Sequence, residues 1–171
     1  MNVYALSVGP FQVNCYFVVG PGGEALVVDP GAEAARLAAE LQRRRLAVAA
    51  YLLTHGHVDH VSAVAELERR FPAPVLMHAR DAAWAFQPAN QMPPFYEVPE
   101  PPAAGTQPLS EGRTHELGGL GFRVLGTGAA GVLRLPGHLA GSLPAVLTLR
   151  VSAMNAFGKV YSVDKVHTLE P

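Results

Sequence analysis

Apolar residues along this chain fall into short blocks broken by Gly and Pro, a pattern that reads mainly as strands. Val3 to Val8 alternates weakly and predicts a first strand, which Gly9-Pro10 ends. Cys15-Tyr16-Phe17-Val18-Val19 is rich in β-formers. Gly20-Pro21-Gly22-Gly23 is turn chemistry, and Ala25-Leu26-Val27-Val28 returns as the second arm of an antiparallel hairpin. From Glu33 to Arg45 the period changes. Ala34, Leu37, Ala38 and Leu41 recur at three- and four-residue spacing, which predicts a helix closed by Arg43-Arg44-Arg45. Ala49 to Leu53 is a buried strand, so strand, helix and strand form a βαβ crossover. Val61 to about Arg70 is a second helix, ended by Phe71-Pro72-Ala73-Pro74, and Val75-Leu76-Met77 is a further strand.

The second half reads as β after an interruption. Seven of the 21 residues from Pro88 to Pro108 are proline, which cannot donate a regular hydrogen-bond ladder. This segment is expected as an extended surface loop. Its neighbourhood of Trp84, Phe86, Phe95 and Tyr96 either lines a cleft or anchors the loop. Glu116-Leu117-Gly118-Gly119 resembles a hairpin turn, and Phe122 to Leu125 and Val132 to Leu135 are strands. Ala145 to Val151 and Lys159 to Val163 are read as a hairpin around Asn155-Ala156-Phe157-Gly158, with Asp164 at its end.

Composition narrows the class. A length of 171 residues suits one domain, residues 1–171, and 49% hydrophobic residues suffice for a core. The net charge of -1 gives no basic field for nucleic acid or anionic lipid, and the Arg43–Arg45 run reads as a solvated helix end. Cys15 is the only cysteine, so no intrachain disulfide forms. No basic and apolar leader follows Met1, and no apolar run approaches the ~20 residues of a membrane span. The expectation is a cytoplasmic protein acting on a small molecule, without nucleic-acid or membrane partners.

Candidate chemistry concentrates in Thr54-His55-Gly56-His57-Val58-Asp59-His60. Residues two apart in an extended loop point the same way, so His55 and His57 can grip one ion. Gly56 lets the backbone come close without a Cβ clash. Asp59 and His60 lie where the chain turns into a helix and face a second position. Two ions ~3.5–4 Å apart would make a hydrolytic two-metal site. Asp29-Pro30-Gly31 ends a strand expected beside Tyr51 to Leu53. Asp29 reads first as a turn or helix-cap residue, and second as a neighbour of the ions. His78 after a strand reads as structural, and no role is assigned to His115.

The seven-residue run matches the T-H-x-H-x-D-H signature of the metallo-β-lactamase superfamily, and the chain most resembles its glyoxalase II-like branch. Asp29-Pro30-Gly31 resembles the family's early strand-end motif. Leu135-Pro136-Gly137-His138-Leu139-Ala140-Gly141-Ser142 resembles P-G-H-[ST]-P-G-S, and Val160-Tyr161-Ser162-Val163-Asp164 resembles F-S-G-D. The resemblance implies an α+β fold, an αββα sandwich with the site at one edge of its paired sheets. It implies a first metal on His55, His57 and His138, a second on Asp59 and His60, and Asp164 bridging the two. Zinc, as one or two ions, is the implied cofactor, with iron or manganese as alternatives. The implied activity is hydrolysis of a small-molecule thioester or ester by metal-bound hydroxide, with Asp59 as the catalytic residue that orients it.

The chain departs from the pattern near its end. The further His that the family supplies to the second metal has no counterpart, because Val166 and Thr168 beside His167 do not match and His167 reads as a tail residue. The sandwich is expected to lack its last elements, through truncation or divergence. The exposed sheet edge this leaves would favour a homodimer or covering by another chain. Two alternatives follow. One is a persulfide dioxygenase-like oxidoreductase with one iron on His55, His138 and Asp164. The other is an inactive truncated relative.

Overall fold

The computed structural model of the chain describes residues 1–126, 131–138 and 144–150, and from residue 125 onward its backbone alone. Ten strands and four short helices are present among them. In chain order the elements are β1 (Asn2–Val8), β2 (Val13–Val19), β3 (Glu24–Val28), α1 (Ala34–Arg43), β4 (Ala47–Leu52), α2 (Val58–Val61), α3 (Val64–Arg70), β5 (Val75–His78), α4 (Ala79–Ala82), β6 (Thr106–Leu109), β7 (Thr114–Leu117), β8 (Leu120–Gly126), β9 (Gly131–His138) and β10 (Pro144–Arg150). The strands form two sheets, ordered β1-β2-β3-β4-β5-β6 and β10-β9-β8-β7.

The inner strands β2 to β5 of the first sheet are buried on both faces along most of their length, which is why they read as continuous apolar runs rather than alternating ones. Cys15, Phe17, Val27, Tyr51, Leu53, Val75 and Met77 point to one side. There they pack on Ala34, Leu37, Ala38 and Leu41 of α1 and on Val64 and Leu67 of α3. Their neighbours Tyr16, Val18, Leu26, Val28, Ala50, Leu52 and Leu76 point to the other side, against Leu120, Phe122 and Val124 of the second sheet. The period of two thus produces a helix layer, a sheet and a second sheet. This agrees with the expected sandwich. A helix layer over the second sheet is not among the described residues.

The β1–β2–β3 hairpins are antiparallel, and β3 pairs parallel with β4, with α1 as the crossover. Parallel pairing aligns the C-terminal ends of β3 and β4, so Asp29 and Thr54 emerge side by side. In open α/β sheets, ligands bind at this carboxyl end. Arg43 and Arg44 at the end of α1 both pair with Glu40, and Arg44 lies over the Tyr4 ring.

Two expectations are revised. The second helix is two helices, because the Ala63 N–H leaves the helical ladder to bond the Pro30 carbonyl at 3.0 Å. The proline-rich segment is not wholly an extended loop. Pro88–Asn90 is a turn of 3₁₀ helix, and Thr106–Leu109 joins the sheet parallel to β5. Pro108 is tolerated because β6 is an edge strand. Residues 144–150 pair with β9, whereas the expected partner arm from Lys159 to Val163 lies outside the described residues. The turn at Gly118-Gly119 joins β7 and β8 as expected, with φ of 58° and 67° that glycine adopts freely. No described helix is long and apolar enough to cross a membrane.

Candidate metal centre

Asp29 is the hub of the strand ends, and sequence reasoning undervalued it. It is buried, 1% exposed, and sits in left-handed backbone with φ 49°. Asp tolerates that conformation better than most residues, and such strain gathers at functional sites. Its Oδ1 accepts from the Thr54 N–H at 2.8 Å, and its Oδ2 accepts from Thr54 Oγ1 at 2.5 Å and from His60 Nδ1 at 3.0 Å. A carboxylate only accepts, so His60 carries the Nδ1 proton and presents Nε2 outward. Asp-Pro-Gly is also an ordinary turn sequence. Only the parallel pairing of β3 with β4 shows that this one faces the histidine run.

The imidazoles converge. The His55 ring lies 4.8 Å from that of His57 and 4.1 Å from that of His60, centroid to centroid. His55 Nδ1 is 3.1 Å from Thr54 Oγ1. Its Nε2 is buried and bonded to nothing, as is His57 Nδ1. A buried polar atom without a partner costs about 1–3 kcal/mol unless a ligand satisfies it. Burial, reinforced by the charges of His60 and His57 and opposed by Asp29, pulls His55 down to about 3. Burial likewise lowers His57, with Asp59 opposing it. Both are therefore neutral at ordinary pH, the form that ligates a metal. Burial works against the charge on His60, but Asp29, through its charge and hydrogen bond, and then Asp59 outweigh it and raise its pKa.

Asp59 and His60 start the helix as expected, in the first turn of α2, and are both 8% exposed. His60 Nε2 is 3.8 Å from Asp59 Oδ2. Gly31 supports this turn from below, where a Cβ would stand 1.6 Å from the Asp59 carbonyl oxygen. The expected clearance at Gly56 is also explained, since a Cβ there would lie 3.0 Å from both Ala85 Cβ and Trp84 Cζ2. Trp84 meets the His57 ring edge to face at 5.4 Å. Phe95 and Tyr96 pack with Phe11, and they also line a cleft with Gly9, Pro10, Ala32 and Glu33.

Asp29, His55 and His60 bring ligand-type atoms within 4.8 Å of one another. The Asp29 oxygens already accept three hydrogen bonds, which makes it an orienting carboxylate behind His60 rather than a free donor. The donor set fits a metal. Two orphaned imidazole nitrogens stand beside a carboxylate and a third imidazole whose far nitrogen is held. His138 is the last residue of β9. Its side chain, Asp164 and His167 lie outside the described residues. His78 caps α4 by accepting from the Arg80 N–H at 3.2 Å, and His115 stacks on Phe122 in the second sheet, with its Nε2 buried and unpartnered.

A helix-backed sheet carrying this histidine cluster on its strand ends is the architecture of a metal-dependent hydrolase fold. Residues 8–142 match the family model of the metallo-beta-lactamase superfamily, and the chain belongs to that superfamily. The hydroxyacylglutathione hydrolase GloC of Haemophilus influenzae is 29% identical over 145 residues, 84% of this chain and 65% of that protein. Two crystal structures share the fold. BLEG-1, a B3 metallo-beta-lactamase, aligns with a TM-score of 0.69 and 29% identity over 79% of this chain and 66% of its own. TTHA1623, in a di-iron-bound form, aligns with a TM-score of 0.62 and 32% identity over 76% and 65%. The chain thus spans just under two thirds of the curated relative's length.

Proposed function

We propose that this protein is a metal-dependent hydrolase of a small-molecule thioester or ester. The observation that carries this reading is the pair of buried, unpartnered nitrogens, His55 Nε2 and His57 Nδ1, in a chain of this superfamily. The named relative supports a thioester, since it is a hydroxyacylglutathione hydrolase. In this reading His55, His57 and His138 would hold a first ion and Asp59 and His60 a second, with Asp164 as a ligand the two would share. Zinc suits the nitrogen-rich set, and iron is the metal of one structural neighbour.

Such ions supply water activated at neutral pH, with a pKa near ~7, and positive charge for the oxyanion of the attacked carbonyl. The chain's own residues do the rest. Asp29 keeps the proton on His60 Nδ1, so that Nε2 stays free as a donor. Thr54 ties Asp29 to His55 through one hydroxyl, which sets both rings together. Asp59, whose Oδ2 lies 3.8 Å from His60 Nε2, is the residue that orients the attacking water and accepts its proton. Trp84 gives one side of the site an apolar wall beside His57.

The test is hydrolysis of a hydroxyacylglutathione thioester under anaerobic conditions by zinc-loaded protein. Turnover that a chelator abolishes and zinc restores is expected, with Asp59→Asn slowed by about 10²–10⁴-fold. Oxygen uptake with a thiol persulfide, and no thioester hydrolysis, would replace this reading with the dioxygenase one. No metal uptake and no activity would leave an inactive relative.

A further inference from the structure

The residue between the two ligand histidines is held from outside the motif. The Gly56 N–H donates to Asp81 Oδ1 at 3.2 Å, and the Gly56 carbonyl accepts from Asn90 Nδ2 at 2.7 Å. The same amide donates its second hydrogen to the Ala85 carbonyl at 2.6 Å, so the donor capacity of Asn90 is fully used. Asn90 is 8% exposed. Ala85 and Trp84 close over Gly56, and Trp84 continues onto the His57 ring. One short segment, residues 81–90, therefore grips both polar atoms of a single residue, and that residue separates His55 Nε2 from His57 Nδ1.

We propose that Asn90 and Asp81 are positioning residues of the metal centre, clamping Gly56 so that the His55 and His57 rings are set for one ion before it binds. The proposal rests on the metal-site reading above. Glycine has the widest backbone freedom of any residue, so a glycine between two ligands lets their separation drift unless something else fixes it. Two hydrogen bonds in opposite senses remove that freedom. Ordering done in advance does not have to be done at binding, and affinity rises accordingly. A clamp that only docked residues 81–90 onto the body would change stability and leave metal affinity alone.

The experiment separates these cases in the full chain. Cobalt(II) is titrated into wild type, Asn90→Ala, Asp81→Ala, Asp81→Asn and Glu68→Ala. Trp84, the only tryptophan, reports binding by quenching, and the visible spectrum reports ligand geometry. Glu68 is the control, a buried side chain that accepts from the Ala103 and Ala104 N–H groups and clamps a loop away from the motif. Asn90→Ala and Asp81→Ala are expected to weaken cobalt binding by about 10–100-fold and to alter the spectrum at saturation. Asp81→Asn, whose Oδ1 still accepts from Gly56, is expected to restore wild-type affinity. Glu68→Ala is expected to lower the urea midpoint without changing affinity or spectrum. Wild-type affinity and spectrum in both alanine variants at Asn90 and Asp81 would overturn the proposal alone. No cobalt binding by wild type would overturn the metal-site reading and the proposal together.

Discussion

Asp29 and Glu40 each accept three hydrogen bonds, yet they hold very different things together. Asp29 sits 1% exposed at the end of β3 and binds Thr54 twice and His60 once. Glu40 lies on α1, its side chain 18% exposed, and binds Arg43 twice and Arg44 once. Around Glu40, water and salt can replace every lost contact, so its ion pairs contribute little. Around Asp29 nothing can, and each donor left behind would be buried and unpaired. The bond count is equal. What differs is the availability of solvent, and that difference locates the polar network on which the site depends.

Asp29→Ala strands Thr54 Oγ1, the Thr54 N–H and His60 Nδ1, and should destabilise by about 3–5 kcal/mol in urea unfolding. A loss below about 1 kcal/mol would make Asp29 no different from a surface carboxylate. Gly31→Ala is next. Its Cβ would meet the Asp59 carbonyl, a backbone atom that cannot swing away, so about 1–3 kcal/mol of overpacking is expected, with a drop in metal content. Thr54→Val keeps the shape and removes the hydroxyl, which should cost about 1–2 kcal/mol by the same unfolding measurement.

Glu40→Ala should change stability least, by under about 1 kcal/mol. The hydrogen bonds from Arg43 hold the Glu40 carboxyl well below its ordinary range, at about 2, with burial opposing and Arg44 assisting. A depressed carboxyl stabilises the fold above its unfolded pKa and loses that effect as pH falls through the folded one. The small difference between wild type and Glu40→Ala should therefore shrink from about pH 5 down to about pH 2, which midpoints across that range would show.

Much of this architecture was legible because both faces of the first sheet are buried. Phe17 and Val18 face opposite layers, and so do Tyr51 and Leu52, so their strands stand out as unbroken apolar runs. His55, His57, Asp59 and His60 were equally plain, since their spacing alone places them on one loop and one helical turn. What stayed hidden depends on pairing across the chain. For Asp29 the sequence leaves two readings, turn residue or neighbour of the histidine run, and only the alignment of β3 with β4 decides between them. The break at Ser62-Ala63 interrupts a regular apolar period only because Pro30 competes for the Ala63 N–H. Asn90 and Asp81 carry no periodic or motif signal at all. Their role comes from reaching Gly56, 34 and 25 residues away.

On this reading His55 and His57 present their unpartnered nitrogens to a metal ion. It is tested most directly by metal content after zinc loading and gel filtration, in wild type, His55→Ala and His57→Ala. Roughly one or two ions per wild-type chain are expected, falling by about half or more in each variant. Equal zinc in all three proteins would contradict the account.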